Sequence, residues 1–119
     1  MTEKELPKLT SASDGSKLLP SFQQNADGTA RFVMVLPKAY HEDPGLSIMA
    51  RCEALHSGYE FPYRKFLDSH LEPGDVFIDI GAHFGIYSLS AVTAPCGGVR
   101  SLAVEPDPYN VRALKLWTA

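Results

Sequence analysis

The stretch VFIDIGAHFGIYSLSAV, residues 76–92, decides how this chain is read. Val76 to Ile80 is a nearly unbroken apolar run, as expected of a parallel strand covered on both faces, because a half-exposed strand would alternate. From Gly85 the pattern turns helical, with Ile86, Tyr87, Leu89 and Val92 on the inward face and Pro95 closing the segment. Between strand and helix lies a tight turn built around Asp79, Gly81 and Gly85.

Downstream, Cys96-Gly97-Gly98 reverses the chain, and Val99 to Val104 reads as a second strand ending at Glu105. Asp107 and Pro108 then supply an N-cap and a first-turn proline for a helix carrying Val111 and Leu114. Upstream, EFPYRKFLDSHLEPGD (60–75) predicts a short helix with Pro62 in its first turn. Tyr63, Phe66, Leu67 and His70 or Leu71 form its inward face, and Pro73-Gly74 ends it. Helix, strand, helix, strand, helix is the order of a βαβ core in an α/β fold, with a right-handed crossover expected.

The first half is less regular. Residues 1–19 are rich in Lys, Glu, Ser and Gly and read as a flexible tail. Residues 20–57 read as a lead-in containing a β-hairpin. Asp27-Gly28 turns between a weak strand signal near Phe22 and a stronger one, Arg31 to Leu36. The segment 39–58 mixes Asp43, Pro44 and Gly45 with a short apolar run and is consistent with a connector holding either a short strand or a helix.

Bulk properties narrow the function classes. The chain has 119 residues, 45% of them hydrophobic, which suits one modest core. A net charge of -3 without a basic cluster offers nothing to steer toward a phosphate backbone or an anionic membrane, so neither is expected as a docking partner. Cys52 and Cys96 form no CxxC pair. With no secretory-type leader and no apolar run near the roughly 18 residues of a span, a cytoplasmic location with reduced thiols is expected. His41, His56 and His70 have no ligand spacing, so no metal site is expected.

The turn itself points to a ligand. In an open α/β sheet, ligands settle at the carboxyl ends of the strands, where Asp79, the Gly81 loop and Glu105 all fall. Glu105 follows Gly85 by 20 residues, about the separation at which nucleotide-binding folds place an acid on ribose hydroxyls. A dinucleotide site places glycine where this chain has Asp79, whose carboxylate would repel a pyrophosphate and attract the ammonium group of a methionine moiety. S-adenosylmethionine is therefore favoured over NAD, with an NAD-linked oxidoreductase left as an alternative. Gly81 and Gly85 would let the backbone approach the ligand closely.

GDVFIDIGAHFGIYSLS (74–90) followed by AVEPDPYNVRALK (103–115) resembles the first two motifs of class I S-adenosylmethionine-dependent methyltransferases. The closer resemblance is to the FkbM family, with its DxGANxG and EPxPxNxxxLK patterns. Glu105, Pro106, Pro108, Asn110, Leu114 and Lys115 carry the second motif. The resemblance implies a Rossmann-like doubly wound sheet over residues 58–119, truncated after the second parallel strand and its helix. It also implies transfer of a methyl group to a hydroxyl on a sugar or natural-product-type small molecule. S-adenosylmethionine would be held by Asp79, Gly81, Ala82, His83, Gly85, Glu105 and Pro106, with Glu60 of the GYE at 58–60 at its methionine end.

His83 stands where the family has Asn; either side chain can hydrogen-bond within the loop, and a structural role is expected for it ahead of a catalytic one. The acceptor site and any general base are expected to lie outside these 119 residues, in a longer protein. A homo-oligomer or a sheet-completing partner is expected to cover the edges that two strands leave open. A non-catalytic module binding a partner protein through the same half-fold is the other alternative.

Overall fold

The computed structural model describes residues 6–55 and 58–118, the last three of these by backbone alone. The chain is a mixed α/β protein that divides into two compact units, residues 1–60 and 61–119.

The first unit is built on an antiparallel sheet of β1 (Thr10–Ser11), β2 (Lys17–Pro20) and β3 (Val33–Leu36), in that order. β2 lies against β3 with Leu19 opposite Met34. The period-2 alternation of β3 sends Met34 and Leu36 into the core and leaves Val33 and Val35 exposed. After a 3-10 turn at Lys38–Tyr40, α1 (Pro44–Leu55) packs on β2 and adds Leu46, Met49 and Ala50 to that core.

Here the structure differs from the sequence reading. Residues 10–19, expected in the tail, form β1 and most of β2, joined at Asp14-Gly15, and Leu19 is fully buried. The Asp27-Gly28 turn is present, closed by a Gln24–Ala30 bridge, but the ladder partner of β3 is β2 and not the segment at Phe22. The Asp43-Pro44-Gly45 signal opens a helix: the Asp43 Oδ1 accepts the Leu46 N–H at 2.9 Å, and Pro44 occupies the first helical position.

The second unit runs α2 (Phe61–His70), β4 (Val76–Ile80), α3 (Ile86–Val92), β5 (Arg100–Val104) and α4 (Pro108–Thr118). β4 and β5 pair in parallel, from Val76 opposite Arg100 to Ile80 opposite Val104. α3 connects them and packs on both, and α2 packs on α3. As expected, α4 begins with Asp107 as its cap, the Asp107 Oδ1 accepting the Tyr109 N–H at 2.9 Å.

Three expectations need correction. The inward face of α2 is not the aromatic stripe: Tyr63 and Phe66 are 68% and 60% exposed, His70 stacks on Phe66 outside, and Arg64 is fully buried. The Arg64 Nε donates to the Ser90 Oγ of α3 at 2.9 Å, so a polar anchor decides which stripe turns in. Among the described residues the β4–β5 sheet is covered on one face, where α3 packs. Val76, Ile78, Ile80, Leu102 and Val104 lie exposed on the other, with Ile80 at 81%. On α3, Ile86 is buried but Val92 is exposed, and Ser88, Ser90 and Ala91 take the buried positions. Among the described residues no helix is long and apolar enough to cross a membrane.

Candidate functional site

Asp79, Gly81, Ala82, His83, Gly85, Glu105 and Pro106 all belong to the second unit, at the carboxyl ends of its two paired strands. Asp79 pairs with Ala103 across the ladder, so its side chain rises on the same face as those of Ala103 and Phe77, the face that α3 covers. It is only 9% exposed. A buried carboxylate needs hydrogen-bond donors, and Ser88 supplies two. The Ser88 N–H donates at 3.1 Å and its hydroxyl at 2.7 Å, both to the Asp79 Oδ2.

The loop after β4 folds back over the end of β5. The Gly81 and Ala82 N–H groups both donate to the Val104 carbonyl, at 2.8 and 3.1 Å. The next N–H, that of His83, donates to the Glu105 Oε1 at 2.8 Å. Three successive amides are therefore spent inside the protein. Gly81 has φ 73, a left-handed conformation that disfavours side chains, and no atom lies within 4 Å of where a Cβ would sit, so its backbone faces open space. Gly85, at φ 86, makes the sharp entry into α3. His83 adopts φ 55, with its ring exposed and edge-on to Phe84 at 4.0 Å between centroids. A residue of that size in the left-handed region is uncommon, and here the Glu105 bond to its amide holds it.

Glu105 is thus a structural hub as well as a candidate ligand contact. Its Oε2 accepts the Asp107 N–H at 3.0 Å and a long bond from the Asn110 Nδ2 at 3.4 Å. The Asp107 N–H and, behind it, the His83 N–H and the Asn110 amide hold the Glu105 carboxyl below the usual carboxylate range. Each carboxylate oxygen has two lone pairs, so Oε1 keeps one acceptor position. Pro106 is exposed between Glu105 and α4.

Glu60 ends the first unit and is described there. It adopts φ 48, and the neighbouring Tyr59 N–H donates to the buried Glu53 Oε1 at 2.8 Å. The Tyr59 phenol is pushed up, first by burial and then by the nearby Glu60 charge. Two residues escape a reading by motif alone: Ser88, and Asn110 as a partner of Glu105. The available signal for Ser88 is a serine on the strand-facing side of an apolar helix, nine residues after Asp79. His56 falls outside the described residues, and among those described no cluster of three or more metal-ligating side chains occurs.

In comparison with known proteins, no family model and no curated protein matches this chain.

Proposed function

We propose that residues 61–119 are the cofactor-binding part of an S-adenosylmethionine-dependent methyltransferase of the FkbM kind, built on a Rossmann-like half-sheet. One observation carries the reading. Two acids, Asp79 and Glu105, stand at the carboxyl ends of neighbouring parallel strands, on either side of a loop with positive φ at Gly81, His83 and Gly85.

The donor set suits this ligand better than a dinucleotide. The N–H groups of Gly81, Ala82 and His83, which a pyrophosphate would need, are already donated to Val104 and Glu105. What the loop offers is acceptors. The Asp79 Oδ1 has no hydrogen-bond partner among the described residues and suits an ammonium group. The spare position on the Glu105 Oε1 suits one ribose hydroxyl, and the second would replace the long Asn110 bond. When bound, S-adenosylmethionine supplies a sulfonium methyl already activated for attack by a hydroxyl oxygen. The chain's own task is to hold the two ends of the ligand so that sulfur, carbon and acceptor align. The acceptor class, a sugar or natural-product hydroxyl, rests on the motif resemblance.

Calorimetric titration of the chain with S-adenosylmethionine and with NAD tests the proposal. Binding of the first, weakened about tenfold or more by Asp79→Asn, is expected. Heat with NAD alone would reverse the assignment.

The exposed apolar face of β4 and β5 favours a second reading, a module that docks a partner protein. A stable complex formed through Ile78 and Leu102, by a chain with no affinity for the nucleoside, would select it.

A further inference from the structure

Among the described residues, Ser88 alone donates hydrogen bonds to the Asp79 carboxylate. Both donors of Ser88 converge on one oxygen, Oδ2, and the second oxygen of a 9% exposed carboxylate is left as acceptor. A helical serine or threonine ordinarily returns its hydroxyl to a carbonyl one turn back. Ser90 and Thr93 do so, toward Ile86 and Leu89 at 2.9 and 2.7 Å. Ser88, on the same helix, turns its hydroxyl to the strand instead. A carboxylate's terminal torsion is broad, so without these two donors the plane of the Asp79 carboxyl would not be fixed.

We infer that Ser88 is a positioning residue, which locks the Asp79 carboxylate with Oδ1 presented to the ammonium group of an amino-acid-bearing ligand. This rests on the cofactor reading above. It also extends that reading: Ser88 governs recognition of the methionine end and leaves the adenosine end alone.

The surroundings of Ser88 allow a clean experiment. It lines a cavity of about 170 Å³ together with Leu89, Val92, Ser101, Ala103 and Leu114, so one added methyl group has room. Thr and Val have the same shape and differ by the hydroxyl. The full chain carrying Ser88→Val or Ser88→Thr is titrated with S-adenosylmethionine and with 5′-methylthioadenosine, which has the adenosine but no amino acid.

The expected result is a loss of about tenfold for S-adenosylmethionine in Ser88→Val, recovery to within about threefold in Ser88→Thr, and 5′-methylthioadenosine unchanged within about twofold in both. If valine prevents folding, Ser88→Ala takes its place with the same expectations. Equal losses for the two ligands would mean general damage to the fold and would overturn the inference. So would full affinity in Ser88→Val when Asp79→Asn has lost it. Failure of the unaltered chain to bind S-adenosylmethionine would remove the cofactor reading itself, and this inference with it.

Discussion

The backbone N–H of His83 donates to the Glu105 Oε1 at 2.8 Å, a contact that spans 22 residues of sequence. Through Oε2 the same carboxylate accepts the Asp107 N–H, so one side chain ties the loop after β4 to the first turn of α4. Glu105→Gln replaces one oxygen by an amide donor and must break the loop side or the helix side of that tie. A loss of about 1 kcal/mol in urea denaturation is expected, together with faster hydrogen exchange at His83. Unchanged stability and exchange would show that the loop holds its shape without Glu105.

The same tie predicts the direction of the acid response. In the folded chain, donation from Asp107, with lesser contributions from His83 and Asn110, holds the Glu105 carboxyl below its ordinary value of 4.5. A carboxyl depressed by folding contributes stability that is fully present above its unfolded value and is lost as pH falls through the folded one. The urea midpoint should therefore fall between about pH 5 and about pH 3, and Glu105→Gln should fall less over the same interval. An equally steep fall in the variant would assign the acid sensitivity to other carboxylates. Asp14 and Asp27, lowered by Ser16 and Thr29 donors, act with the same sign.

Glu53 performs a comparable task in the first unit. It is buried, and its two oxygens accept the N–H groups of Phe22 and Tyr59, each at 2.8 Å. Glu53→Gln would set an amide donor against one of those N–H groups at a side chain only 2% exposed. A cost of about 1–3 kcal/mol in denaturant unfolding is expected. A cost under about 0.5 kcal/mol would mean that the backbone keeps these segments in place without the carboxylate.

Much of the second unit is legible in the sequence because its signals are local. Two apolar runs bounded by Pro-Gly and Gly-Gly read as strands, and Asp107-Pro108 reads as a helix start. What was illegible depends on distant partners. α2 carries one stripe through Tyr63, Phe66 and His70 and another through Phe61, Arg64 and Asp68, and hydropathy selects the first. The bond from Arg64 to Ser90 draws the second inward. Asp14-Gly15 carries the same turn signal as Asp27-Gly28, but polar flanks hide the pairing of β1 with β2. At the site, the positions of Asp79 and Glu105 follow from strand ends. The engagement of Glu105 by His83 and of Asp79 by Ser88 depends on how the loop folds back, which no spacing encodes.

Ser101 offers a test of the packing behind the site. Its Oγ is buried with no hydrogen-bond partner among the described residues, and it lines the cavity of about 170 Å³ beneath α3 and α4. An unpaired buried hydroxyl is unfavourable, and a position in β5 favours a β-branched side chain. Ser101→Val exchanges the unpaired hydroxyl for two methyl groups at a position that borders free volume and pairs with Phe77 across the ladder. A gain of about 1 kcal/mol is expected, seen as a higher urea midpoint with an unchanged slope. Destabilisation would mean that the hydroxyl is satisfied in solution by an ordered water, and that the cavity is a hydrated polar site where dry packing volume is inferred.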